Sequence, residues 1–420
     1  MSSTLPKLIL PLIRPLLPYL PLLPKPILTL LPSVLLHHTS HRKLAFFAYF
    51  QDPFTNPLHP PLLLTFFLIP LIYTLGLISG NVSWVDRSWP FFTPICSGLI
   101  LLWAGINDNG GLYGHNLPRL SVMMFLQLVW STRLLSHAIR REFYDLTSED
   151  YRYTQFRKLV PRWLFAIVHA VVIAFAQPLL LFSLSLPLHS VLVRPPAELS
   201  PGPIPALSVP YSAFLPFLPA RYHSAPPSTP VLNLADLFLL FCGLTLVFVE
   251  YRADNAMFAF QTSKHSDTSS SEMIRPPKQS SPPSGLPQPS PYPRSHHPGF
   301  LTKGLFSLSR HPNFAAEQLF WLNQALFVVA AGESSGVTRN GWVSGGVFGP
   351  CFALSLLFCA STTLTEWITG RKYPTYSSYK RVVGQFLPQE TAIVWLWGTV
   401  TGTRAQSLKE VYQYPVPQNR

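Results

Sequence analysis

Residues 304–321 read GLFSLSRHPNFAAEQLFW. Pro312 suits the first position of a helix, where its missing N–H costs nothing. His311 is then the N-cap, and the helix runs from Pro312 into a largely apolar stretch that ends near residue 332. The mouth of this helix holds Arg310, His311, Asn313 and Glu317, four side chains that are costly beside hydrocarbon. Unpaired N–H groups and the positive dipole end gather there, ready for an anion. Arg310 stands just outside and can fork onto a phosphate. Asn313 and Glu317 are four residues apart and share one face. A boundary helix with snorkelling ends would explain Arg310, but not a carboxylate more than a turn inside. The stretch predicts a membrane helix whose entrance is a binding site.

The rest of the chain agrees with a membrane setting. Of 420 residues, 48% are hydrophobic and 12% charged, where a soluble domain carries about 25% charged residues. The formal charge is +13. The basic residues sit mostly between apolar runs, which suits loops facing anionic cytoplasmic lipid and argues against nucleic acid as a partner. The four cysteines, Cys96, Cys242, Cys351 and Cys359, lie in apolar stretches without CxxC or zinc spacing. Neither a disulfide nor a metal is expected.

The expected fold class is all-α, a polytopic membrane bundle of about seven transmembrane helices with Pro/Ser-rich linkers. Apolar runs near 61–80, 89–106, 118–137, 162–187, 231–250, 314–332 and 343–366 each approach the roughly 20 residues that span a bilayer. Pro70 and Pro178 fall inside two of them, as tolerable kinks. Residues 1–60 form a Pro/Leu-rich leader in which Pro15, Pro18, Pro21 and Pro24 recur every third residue. That spacing breaks a helix and suits polyproline II, which cannot cross hydrocarbon. The leader is read as disordered or interfacial. Residues 61–388 form the transmembrane domain and 389–420 a tail. Within the domain, 188–230 and 262–299 are rich in Pro and Ser and read as disordered linkers.

Loop charge predicts orientation. Arg140, Arg141, Arg152, Arg157, Lys158 and Arg162 follow the third run, and seven further basic residues from Arg252 to Arg310 follow the fifth. Arg371, Lys372, Lys380 and Arg381 follow the last. Positive-inside counting places these groups and the C-terminus in the cytosol. Seven spans then put the leader on the far side despite Lys7, Arg14, Lys25, Arg42 and Lys43, so either the leader is not translocated or the count is off by one. The sequon Asn81-Val82-Ser83 falls on the cytosolic side and is read as chance.

Three more clusters lie at the same side. Trp130, Arg133, His137, Arg140 and Arg141 follow one helical face; Arg133 either snorkels or meets a carboxylate or phosphate. Glu250 and Asp254 are four apart at the end of the fifth run, placed to bind ribose hydroxyls or an exocyclic amine, or else to cap the helix and pair with local arginines. Glu366 precedes Lys372-Tyr373-Pro374-Thr375-Tyr376, which alone reads as interfacial anchoring. Acids, guanidinium groups and aromatics around helix ends are what an anionic cofactor with a planar base requires.

GLFSLSRHPNFAAEQLFW, followed by TEWITGRKYPTYSSYKRVVGQFLP, resembles the C-terminal half of the steroid 5-alpha-reductase-related membrane proteins, and most of all their fungal and bacterial relatives. NVSWVDRSWPFF, QLVWSTRLLSHAIRREFY with SEDYRY, and EYRADNAMFAFQTSK resemble further motifs of that subfamily. The resemblance covers residues 61–388 apart from the linkers. It implies a seven-helix endoplasmic-reticulum protein that binds NADPH through its C-terminal helices and reduces a double bond of a sterol-like or enoyl lipid by hydride transfer. Carried over by motif, Asp254, Arg310, His311, Asn313, Glu317 and Tyr373 would bind the cofactor. Phe314 stands where relatives often have Tyr, and Ala316 where many have Gly. No clear counterpart of the family's proton donor is present; Asp86 and Tyr151 are the nearest polar candidates for catalysis. Isoprenylcysteine and phospholipid methyltransferases share the Arg-His-Pro element, so an S-adenosylmethionine-dependent methyltransferase is the rival reading. A non-catalytic lipid-binding protein is the third.

Overall fold

The computed structural model describes residues 49–51, 55–107, 117–192, 232–271, 295–331 and 347–413. Most of the leader and of both linkers lies outside these residues. All regular structure among the described residues is helical. The order is α1 (His59–Ser79), α2 (Trp84–Asn107), α3 (Leu117–Arg140), α4 (Tyr151–Leu159), α5 (Arg162–Leu192), α6 (Leu234–Ser271), α7 (Pro312–Ala330), α8 (Gly349–Lys372), α9 (Tyr376–Lys380), α10 (Pro388–Val400) and α11 (Arg404–Tyr412). The helices α5 and α6 run past the expected linker boundaries, to Leu192 and Ser271.

The all-α membrane bundle is the expected one, but its count differs. Among the described residues six helices are long and apolar enough to cross a membrane: α1, α2, α3, α5, α6 through Lys264, and α8. The expected seventh, α7, is not among them. It carries Asn313, Glu317, Gln318, Asn323 and Gln324 within 19 residues. Its large apolar side chains Phe320, Trp321 and Phe327 are almost wholly buried. A helix enclosed by protein can hold polar groups that a lipid-facing helix cannot.

The chain divides into two compact units. Unit 1 is Met1–Thr245 with Gln318–Leu357, and unit 2 is Leu246–Glu317 with Phe358–Arg420. In unit 1, α1, α2, α3 and α5 pack against one another. Where a proline or an irregular turn frees a carbonyl, a neighbouring helix supplies the missing donor. Pro94 cannot bond the carbonyl four residues back, and the Ser131 hydroxyl donates to that Pro90 oxygen at 2.7 Å. At the irregular turn in α5, the Ser185 amide bonds to Phe182 rather than Leu181. The Thr93 hydroxyl donates to the Leu181 carbonyl at 2.7 Å instead. Residues Val168–Ala176 of α5 are π-helical. The wide turn carries His169 against α1, where its ring lies 5.1 Å from that of Tyr73.

Gly76 makes that approach possible, because a Cβ there would overlap the His169 imidazole. Gly76→Ala is therefore expected to lower stability by about 1–3 kcal/mol through overpacking. The measurement is thermal unfolding in detergent, and adding His169→Ala should recover much of the loss.

Charges at the opposite end of unit 1 from α4 are paired and dry. Arg119, in the first turn of α3, forks onto Asp236 of α6 with Nε–Oδ1 and Nη2–Oδ2 both 2.7 Å, and each side chain is 1% exposed. Asp236 also accepts from the Asn233 amide at 2.8 Å, while the Asn233 side chain donates to the Ala330 carbonyl at 2.9 Å. This ties the start of α3 and α6 to the end of α7.

In unit 2 the entrance to α7 is pinned to the segment before α10. The amides of Arg310 and His311 donate to the carbonyls of Gly384 and Gln385 at 2.9 and 3.1 Å. The Glu390 carboxylate caps α10 by accepting from the amides of Gln385 and Leu387 at 2.7 and 3.1 Å. Phe300, Tyr373, Tyr376 and Tyr379 form an aromatic core with Val382 and Val383.

Candidate functional site

The opening stretch builds as its sequence predicts. Ala315 donates to the His311 carbonyl at 3.0 Å, so α7 starts at Pro312 with His311 as cap. Because its N–H is missing, the chain can turn there, and the side chains of Arg310 and His311 both reach Glu366 of α8. Arg310 Nε is 2.7 Å and His311 Nε2 3.0 Å from Glu366 Oε1, and Lys380 of α9 is 2.8 Å from Oε2. Arg310 also donates to the Val383 carbonyl. One buried carboxylate thus gathers two fixed cations and an imidazole. Lys380 is 41% exposed and opens the cluster to solvent. Burial, followed by the nearby Glu366 charge, pushes the Tyr376 phenol up, so it remains a hydrogen-bond donor beside these groups.

The other expected cofactor residues fall into two further groups of unit 2. Asn313 Nδ2 donates to Asp254 Oδ1 at 3.1 Å, joining α7 to α6. Glu317, one turn on, is buried, as is Glu250 one turn before Asp254. Tyr373 lies in the aromatic core, 5.7 Å from the Phe300 ring. Its hydroxyl takes a 2.5 Å hydrogen bond from Lys264, which also donates to the Gly299 carbonyl at 2.5 Å. Lys264 is buried. Its basic character is plain in the sequence, but its partner Tyr373 is 109 residues away, so nothing local signals the pair.

The two catalytic candidates lie in unit 1 and do not come together. Tyr151 is largely exposed at the start of α4. The neighbour that reaches Asp86 is Tyr153, whose hydroxyl is 3.4 Å from Asp86 Oδ1. The reason is local: Asp150 caps α4 by accepting from the Arg152 amide at 2.9 Å, and the turn that follows carries Tyr153 inward. Burial, then the Asp86 charge, holds the Tyr153 phenol well above its ordinary pKa, so it stays protonated. Burial alone would raise the Asp150 carboxyl, but the Arg152 hydrogen bonds and charge outweigh it and hold it low. Around this corner Glu149 accepts from Arg157, Thr154 and the Val82 amide at 2.9–3.1 Å. Asn81 donates to the carbonyls of Leu146 and Ser148 at 3.2 and 2.8 Å. The sequon asparagine is thus a structural staple. No group of three or more metal-ligating side chains occurs among the described residues.

Six membrane-length helices and a polar, cation-rich cluster at the entrance of α7 define an all-α integral membrane protein with a charged site. The chain belongs to the family described as "Protein of unknown function (DUF1295)", which it matches over residues 72–202 and 211–383. It is 29% identical over 344 residues to "Uncharacterized protein C594.04c" of Schizosaccharomyces pombe, covering 81% of this chain and 82% of that protein. No solved structure matches the chain.

Proposed function

We propose that this protein is an integral-membrane reductase that takes NADPH and saturates a carbon–carbon double bond of a sterol-like or enoyl lipid. The observation that carries this reading is the charge balance around Glu366. Arg310 and Lys380 set two fixed positive charges against one carboxylate, and His311 adds a further donor. A net-positive cluster of fork-shaped and point-like donors suits the phosphates of a nucleotide. The same cluster is unsuited to S-adenosylmethionine, whose sulfonium is cationic and which carries no phosphate. Asp254, whose Oδ1 accepts from Asn313 at 3.1 Å, is a carboxylate of the kind that takes a ribose hydroxyl. The motif resemblance supports the same reading, since the family is grouped with the steroid 5-alpha-reductase-like proteins.

When bound, NADPH would supply a hydride to one carbon of the double bond, and the other carbon takes a proton. In unit 1 the partly buried Tyr153 phenol lies 3.4 Å from Asp86 and can hold a proton there. The basic loops favour the cytosol for the Glu366 cluster and the C-terminus, and the resemblance favours the endoplasmic reticulum.

The test is thermal unfolding of the full-length protein in detergent with each nucleotide. NADPH is expected to raise the melting temperature and S-adenosylmethionine to leave it unchanged. Asn313→Ala should weaken NADPH about tenfold, the worth of one charge-assisted hydrogen bond. Protection by S-adenosylmethionine and not by NADPH would overturn the reductase reading.

A further inference from the structure

Unit 1 holds a second group of polar side chains, midway along α3 and α7. Trp130 and Trp321 meet edge to face with ring centroids 4.9 Å apart, and Phe320 stacks on Trp130 at 6.0 Å. A glutamine stands three residues from each tryptophan: Gln127 on α3 and Gln324 on α7. Three residues is close to one helical turn, so each glutamine shares the face of its tryptophan.

The two glutamines also share a level. A Cβ at Gly243 of α6 would lie 2.8 Å from Leu126 Cδ1 and 3.0 Å from Asn323 Nδ2. Leu126 and Asn323 are the chain neighbours of Gln127 and Gln324, so Gly243 marks one height on both helices. The helices run in opposite directions there, because the Arg119–Asp236–Asn233 chain ties the start of α3 to the end of α7. Both glutamines therefore sit on the same side of the tryptophan pair.

All four side chains are at most 1% exposed. Yet Trp130 Nε1, Trp321 Nε1, Gln127 Oε1 and both polar atoms of Gln324 have no hydrogen-bond partner among the described residues. An orphan of this kind is costly, and roughly nine in ten buried polar groups avoid it. Five orphan atoms on two touching helices are a constellation that wants an occupant. The set has N–H donors from two indoles and an amide, and carbonyl acceptors from two amides. It carries no charge, so an ionised group placed there would be left buried and unpaired. An oxygen that accepts two or three N–H bonds, and can donate one, fits it. The aromatic walls suit an apolar body attached to that oxygen.

We infer that the Trp130–Trp321–Gln127–Gln324 cluster binds the hydroxyl or carbonyl oxygen of a neutral lipid. The site stands on these side chains alone and needs neither cofactor nor reduction, so it survives or fails separately from the reductase reading.

The test uses delipidated, nucleotide-free, full-length protein in detergent. The probes are two pairs, cholesterol with cholestane and oleyl alcohol with octadecene. At least one alcohol is expected to raise the melting temperature by several degrees over its hydrocarbon partner. In the double variant Gln127→Leu, Gln324→Leu that preference should vanish, while the unliganded protein melts at or above the parent because orphan groups are gone. Trp321→Phe keeps an aromatic side chain and loses the donor, and should weaken the alcohol preference without unfolding the site. The inference is overturned if neither alcohol outperforms its hydrocarbon, or if the preference persists in the variants. It is equally overturned if the unliganded glutamine double variant melts far below the parent, since the groups would then be serving the fold through a closed water network.

Discussion

Arg119→Ala is expected to lower the stability of the protein by about 3–5 kcal/mol, the range for leaving one partner of a buried ion pair uncompensated. The pair is bidentate at 2.7 Å with both side chains 1% exposed, so solvent screening does not soften the loss. Asp236 gains little from elsewhere: the Asn233 amide at 2.8 Å is a single neutral donor. Its place in the first turn of α6 helps, since the positive dipole end favours a carboxylate, but by about 1 kcal/mol or less. Removing both charges is a different experiment. Arg119→Met with Asp236→Asn keeps an acceptor for the Asn233 amide and a side chain of similar length, and should recover most of the stability. Thermal unfolding in detergent, with the yield of folded protein, reads both variants. If the single variant costs no more than the double one, the pair does not hold α3 to α6 in the way the geometry implies.

Arg119 and Asp236 also show what a sequence withholds. Each looks like an ordinary charge at the edge of an apolar run, and 117 residues separate them. The spans themselves were legible because hydrocarbon demands long apolar helices, and composition reports that directly. The helix α7 was legible as a helix, through Pro312, but not as one enclosed by protein, because apolar and buried are the same letters in either setting. At the candidate site the reading of Arg310 and His311 as one element followed from their adjacency. Their convergence on Glu366, 55 and 56 residues away, did not. Tyr151 and Tyr153 are two residues apart and chemically alike. Only the cap at Asp150 decides which phenol turns toward Asp86. The orphan donors of Trp130 and Trp321 were invisible for a further reason: an aromatic on a helix face is read as packing until its N–H is found to have nothing to bond.

Glu366→Gln should separate a phosphate site from a closed structural network. The parent cluster carries one negative charge among two fixed cations, and the variant carries none. Arg310 is the sensitive partner: it is nearly buried, and its guanidinium would keep a carbonyl partner at Val383 but lose its carboxylate. Stability is therefore expected to fall by about 3 kcal/mol, the low end for a broken buried pair. Lys380 is exposed enough for water and salt to replace its partner, so it adds little to the loss. The added unit of positive charge has the opposite effect on an anionic ligand. At low ionic strength inorganic pyrophosphate should raise the melting temperature of Glu366→Gln more than that of the parent, and the difference should shrink as salt is added. NADPH should follow pyrophosphate if its phosphates lie against Arg310 and Lys380. A variant that loses stability and gains nothing from pyrophosphate would mean that Glu366 only ties α7, α8 and α9 together. The nucleotide reading of the cluster would then fail, while the neutral-lipid site between α3 and α7 would be untouched.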